Sequence, residues 1–397
     1  MRLRFVVLGL LATSCGGASE STTTVVDVAS APSATVASTP RGRAPDLLRC
    51  PLTARVYQLG EANDGVASAP VIVGDGFAAA FTHSTPIGAE LQVQRVRSDG
   101  ALEAPVVVRQ GVATTLPFVA GDGAMTYVAV TNGDGVTEAV ALDPATAKPS
   151  ATSVQLDKTV LQDLDLGPRG LVRLDDAGDR YRLVRQGSAD VELPAPKSSP
   201  IPREQLVASG PSAELVLLRT IAGVRLETVG ATAPVLSPVL FTERSGIWTE
   251  ASVAAGPAGF LLVRTGPGIS DLETYRVDAA GAVARPTSIP ADANIHVRRY
   301  PRAAPLGDGW MVSYWDGTGP SMLRLDASGA ALGPAMELRS GDERGGHTDA
   351  RMVASDDAIA VTWTVDAPLF NHGMPEEQPE RPGPTMAILR CGEKSRG

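Results

Sequence analysis

The chain has 397 residues, of which 43% are hydrophobic, 4% aromatic and 20% charged. That is enough apolar mass for a core, and too little charge for a disordered acidic chain. A formal charge of −9 argues against a nucleic-acid binder held by phosphate contacts. The only long apolar run lies at the extreme N-terminus, which excludes a polytopic membrane protein.

The first fourteen residues have three parts: a positive start at Arg2 and Arg4, an apolar stretch from Phe5 to Leu11, and the small residues Ala12-Thr13-Ser14. The stretch is too short to span a bilayer as a permanent helix and reads as an export signal. Cys15 follows at once. Leu11-Ala12-Thr13-Ser14-Cys15 resembles the lipobox of bacterial lipoproteins, although Ala12 stands where a Leu is usual. The resemblance implies that the signal 1–14 is removed and that the Cys15 thiol carries lipid. Loss of Arg2 and Arg4 takes the charge from −9 to −11. Acyl chains, at about 0.8 kcal/mol per buried CH₂, then anchor the protein with no spanning helix. Gly16 after the cysteine, by resemblance to sorting rules, favours the outer membrane. Residues 15–45 are rich in Ser, Thr, Ala and Pro and follow neither strand nor helix period, so they read as a tether. Its r.m.s. reach is about 30 Å.

From residue 46 onward the sequence repeats. A short apolar run, a tight turn and a more apolar run recur at VGDGF (73–77), AGDGAM (120–125), LGPRGL (166–171), SGPSAEL (209–215), AGPAGF (255–260), LGDGW (306–310) and ASDDAI (354–359). The marker residues Gly76, Gly123, Gly170, Ala213, Gly259, Gly309 and Ala358 are 47, 47, 43, 46, 50 and 49 residues apart. Within most intervals an alternating segment reaches a second turn and resumes, as in 92–108, 273–289 and 322–338. Gly100, Gly281 and Gly329 can take the positive φ such hairpins demand. Each repeat therefore predicts about four short strands, and no segment carries a helical apolar stripe.

Four strands per repeat, seven times over, predicts an all-β fold: a seven-bladed β-propeller over 46–397. A lone blade has two apolar faces and hides them only against neighbours. The chain resembles the seven-bladed propellers common among exported bacterial lipoproteins over about residues 50–392, a resemblance that speaks of fold and not of function. A β-sandwich array, or six or eight blades, is the alternative. Repeats three and four are where a miscount would arise, because RQGSADVEL (185–193) and VGATAPVL (229–236) replace the usual hairpin.

The two ends predict how the ring closes. The last repeat stops after its third strand, 386–391, while an unassigned strand, 51–60, precedes the first. Together they complete the seventh blade. Cys391 reads as the end-of-third-strand position that Asp143, Asp278 and Asp326 hold elsewhere, and Cys50 opens the partner strand. A Cys50–Cys391 disulfide is expected in an oxidising compartment, stabilising the fold by constraining the unfolded chain.

Chemistry is sparse. His83, His296, His347 and His372 fall one to a loop, and no HxH, HExxH or CxxC spacing exists, so neither a metal nor a cofactor is expected. There is no G-x-S-x-G elbow or phosphate-binding loop. Asn132-Gly-Asp-Gly135 is the nearest approach to a calcium loop and reads as a tight turn. Polar groups concentrate in late loops that a propeller would bring to one face: His296, Arg298, Arg299 and Arg302, then His347, Asp349 and Arg351, with Trp248, Glu250, Trp315 and Asp316 nearby. They form a candidate ligand face for a protein or glycan. Trp310, Trp315 and Trp363 read as blade packing. The insertion 366–384 reads as a polar surface loop.

Three functions remain open: a lipid-anchored, non-enzymatic binding module, an extracellular hydrolase or lyase using His296 and His347, and a structural envelope component. No nucleic-acid partner is expected, and the sequence does not fix an oligomeric state.

Overall fold

Paired hairpins build the molecule. A computed structural model describes residues 46–392 apart from 63, 87, 114–116, 122–123, 132–135, 156–159, 177, 179, 186–187, 195–204, 221–222, 231–233, 243–249, 267, 269, 292–297, 318, 339–349 and 365–382. The export signal, Cys15 and the tether lie outside the described residues. So do Gly123, 132–135, Trp248, His296, His347, Asp349, His372 and nearly all of the 366–384 insertion.

Twenty-eight strands form seven four-stranded antiparallel sheets. Six are continuous in sequence, at 71–112, 118–155, 160–194, 207–236, 251–289 and 299–337. We number them blades one to six. Blade seven joins 351–391 to the strand Leu52–Gln58. Repeats three and four keep all four strands: Arg180–Arg185 pairs with Val191–Pro194, and Gly223–Val229 pairs with the two-residue strand Val235–Leu236. The count of seven therefore stands.

The hairpins show why the repeat has its composition. In blade five the Asp278 side chain accepts hydrogen bonds from the N–H groups of Ala280 and Ala282, at 2.9 and 2.8 Å. In blade six Asp326 does the same for Ser328 and Ala330. The next corner requires φ near +88°, supplied by Gly281 and Gly329. Blade two meets the same demand with Ala147 at φ 55°, a residue that pays the strain glycine avoids.

The core is divided among the seams between blades. Separate apolar clusters bridge blades one and two, two and three, five and six, six and seven, and seven and one, while a larger one spans three to five. Trp310 and Trp363 are buried in these seams. Polar latches run alongside. On the third strands, Arg95, Arg185, Arg276, Arg324 and Arg390 each donate to a backbone carbonyl of the following blade, at Ala145, Val229, Ala327, Cys50 and Ser98, over 2.5–3.1 Å.

Closure follows the expected route. The strand Leu52–Gln58 runs antiparallel to Thr385–Cys391, with Leu52 opposite Cys391 and Gln58 opposite Thr385. The disulfide Cys50–Cys391 is formed, with Cα atoms 5.5 Å apart. One detail differs from the sequence reading. Gly259 and Gly309 face Asp278 and Asp326, but the corresponding Ala358 faces Arg390. Cys391 thus sits one residue beyond the repeat position assigned to it, and the cross-link reaches Cys50 in the turn before the outer strand rather than a residue within that strand.

Candidate functional site: the central channel

The first strand of every blade stands at one edge of its sheet, and these strands line a central channel. Small side chains on these strands, among them Ala120, Ala254, Ala303 and Ala354, leave a cavity of about 680 Å³ walled by all seven blades. That volume lies within the usual range for small-molecule sites.

Charge on the wall is unevenly placed. Blade three contributes Asp163, Asp165 and Asp176, while blades six and seven contribute Arg302 and Arg351. In the segment LQDLDLG (161–167), Asp163 and Asp165 are two apart on a strand and point to the same side. Asp163 accepts hydrogen bonds from the N–H groups of Leu164, Leu206 and Val207 at 2.7–2.9 Å. Asp165 accepts from Leu166 and Ser209. The two carboxylates thereby satisfy the exposed strand edge of blade four. Burial pushes Asp163 up to about 6, against the lowering pull of those N–H groups. Burial also raises Asp165, opposed by the N–H groups of Ser209 and Leu166. Behind them Glu214, fully buried, is ion-paired with Arg169 and Arg185 at 2.5 and 2.7 Å.

The predicted ligand face separates into three groups. Arg302 and Arg351 stand on the channel wall. Arg302 is 5% exposed and donates to Ser252 Oγ, which donates in turn to the Pro301 carbonyl. A register shift between Arg299 and Arg302, with Tyr300 at φ 50°, sets Arg302 opposite Ser313. The Tyr300 N–H bonds the Glu250 carboxylate.

Arg298 departs from the expectation. It is 2% exposed, lies over the Tyr314 ring at 5.0 Å and donates to the carbonyls of Ile289 and Pro290. Its guanidinium is engaged inside the blade. Trp315 is also buried, opposite Pro320 and Arg299 at the strand end, which suits packing better than ligand contact. Arg299 is half-buried at the same edge. The third group, His296, His347 and Asp349, lies outside the described residues.

The sequence reading missed Asp163 and Asp165. Their signal was a charged alternation on a first strand, where the other repeats place mostly apolar or small residues. Elsewhere, His83 Nδ1 and Asp64 are 2.7 Å apart at the blade-one rim. Among the described residues, no group of three or more His, Cys, Asp or Glu is placed to hold a metal ion.

Solved propellers are similar to this chain at low identity. The Dos1 propeller superposes with a TM-score of 0.49 and 10% identity, covering 86% of this chain and 95% of that one. The β-propeller domain of the Trilobed protease from Pyrococcus furiosus, described as having an open velcro topology, gives 0.48 and 12%, covering 76% and 91%. Apo AztD from Citrobacter koseri gives 0.41 and 12%, covering 86% and 99%. At these identities the likeness concerns the fold alone. No family model matches the chain. No curated protein matches it by sequence.

Proposed function

We propose that this protein is an exported, lipid-anchored propeller of the bacterial envelope, most consistent with the outer membrane, that binds a protein or glycan partner at its central channel without transforming it. The observation that carries this reading is the cavity of about 680 Å³ with charged groups from three blades on its wall. The carboxylates there are engaged in holding backbone N–H groups, which suits a rigid receptor better than a proton-transfer pair. The disulfide fits an oxidising compartment, and Cys15 supplies the attachment point. A hydrolase or lyase would have to draw its acid and base from His296, His347 and Asp349.

Two measurements test it. Metabolic labelling with a radioactive fatty acid should mark the chain and not Cys15→Ser, and the variant should leave the membrane fraction. The domain should retain a partner from envelope extracts, and Arg302→Ala with Arg351→Ala should release it. Equal retention by that double variant would place the binding surface elsewhere.

A further inference from the structure

The seam between blades seven and one opens at its outer edge into a crevice of about 300 Å³, separate from the channel. Alternation along the closure strand Leu52–Gln58 turns Thr53, Arg55 and Tyr57 to one side, opposite Arg390, Ile388 and Met386 of its neighbour. Tyr57, Met386 and Ile388 pack with Phe77 and Val96 of blade one, so this side faces the 97–100 hairpin. Arg55, Tyr57 and Arg390 line the crevice from blade seven, and Arg97, Asp99 and Gly100 from blade one.

The equivalent spots in two other seams are neutral. Gly281 lies against Thr228 and Val235, and Gly329 against Thr274 and Leu261. Gly100 instead meets Arg55 and Tyr57. It holds φ at +81°, and a Cβ there would stand 2.5 Å from Arg55 Nη1 and 3.0 Å from the Tyr57 hydroxyl. Glycine is what leaves room for the guanidinium. Arg97 pairs with Asp99, and Arg390 Nη1 donates to the Ser98 carbonyl at 2.6 Å. Arg390 Nε is enclosed without a hydrogen-bond partner. Arg55 lies over the Tyr57 ring at 5.2 Å and has no carboxylate partner among the described residues. Three guanidinium groups thus meet one carboxylate, a local excess of two positive charges on a chain of formal charge −9.

We infer that this crevice binds a phosphate group. Its donors come from the closure strand, the third strand of blade seven and the hairpin of blade one, and a tetrahedral phosphate offers oxygens to several sides at once. A carboxylate is planar and is satisfied by a single guanidinium fork. Tyr57 and Ile388 add apolar surface for whatever carries the phosphate. The carrier is a lipid headgroup or a small soluble molecule. Cys391 lines the crevice and is bonded to Cys50, so the chain enters the propeller beside it. An anchor at Cys15, as proposed above, keeps the crevice within a tether's reach of headgroups. The site itself does not depend on that anchor; only the lipid source does.

Calorimetry on the full chain tests this with inorganic phosphate, glycerol 3-phosphate, soluble dihexanoylphosphatidylglycerol and, as control anion, acetate. The phosphate compounds should bind and acetate should not. Stronger binding of the short-chain lipid than of the other two assigns a headgroup, and any other order assigns a soluble phosphate. Arg55→Gln should weaken the tightest of them about tenfold, the loss of one charge-assisted hydrogen bond. Asp99→Asn should tighten it about threefold by removing a surface charge that competes for Arg97, a gain that misfolding cannot mimic. Thermal melts of Arg55→Gln should match the parent, since the side chain is exposed. Equal affinity of Arg55→Gln and parent, acetate binding as tight as phosphate, or no heat from any phosphate compound at millimolar concentration would overturn the inference.

Discussion

Two seams of the same ring hold together by different means. Between blades three and four buried polar contacts run beside the apolar cluster: Asp163 and Asp165 secure the edge of the next blade, and Glu214 joins Arg169 and Arg185. Between blades six and seven the contact is apolar, and the covalent link lies beside it, within blade seven. Leu47, Leu48, Met311, Ile359, Trp363 and Leu389 pack together, and Cys50 and Cys391 lie against them. The seam that contains the chain ends has to resist fraying, and a cross-link limits how far the ends can separate in the unfolded chain. The interior seam is held by continuous chain on both sides, so its stability tolerates charges that hydrophobic packing alone would exclude. A repeat fold thus spreads its load unequally, with buried ion pairs at one seam and the cross-linked chain ends beside another.

The comparison is broken most severely at the closure. Cys50→Ser with Cys391→Ser should lower unfolding free energy by up to about 6 kcal/mol, the chain-entropy value for a loop closed over 341 residues. Urea denaturation measures it. Because seven residue pairs still join the outer strand to its neighbour, the variant should keep the far-ultraviolet spectrum of the parent.

At the polar seam, Glu214→Ala should cost about 3 kcal/mol by the same assay. That is the low end for breaking a buried ion pair, since Arg169 is 30% exposed and recovers hydration. A loss below about 1 kcal/mol would show the charges to be incidental to the seam.

Acidity sharpens the contrast. Asp163 is raised from 3.8 to about 6 in the fold, so the native state holds its proton more tightly than the unfolded chain. Its contribution is fully present below about pH 4 and is lost as pH rises through about 6, worth about 2–3 kcal/mol over the window. Asp165 shifts in the same direction. The exposed carboxylates of Asp75, Asp99, Asp143 and Asp326 are lowered by hydrogen bonds, led by Ser98, the Ala101 N–H, Thr146 and Ser328 respectively. They therefore oppose the trend only at lower pH. Denaturation midpoints should rise from pH 7 to pH 5 in the parent and flatten in Asp163→Asn.

The smallest expected effect belongs to a single latch. Arg276 donates to Ala327 and lies 5.2 Å from the Trp310 ring. Arg276→Ala should cost about 1–2 kcal/mol in a melt or urea titration.

Much of the fold was legible in short-range chemistry. Asp278-Ala-Ala-Gly281 announces its hairpin because Asp caps the turn and Gly permits its corner. Ala358 and Gly259 mark the same inner turn although their residue types differ. The latching arginines were visible as residues but not as latches, since their acceptors are carbonyls about fifty residues further on or at the opposite chain end. Arg298 shows the opposite failure. It stands in a polar loop segment and reads as a surface group, yet the chain folds it over Tyr314.

By itself, then, the sequence determined the seven modules, the split last blade and the cysteine pair, because turn preferences and alternating burial act over a few residues and repeat. Tertiary structure alone decided that Asp163, Arg302 and Arg351 line one channel. Those residues are distant along the chain, and only closing the ring brings them together around an axis.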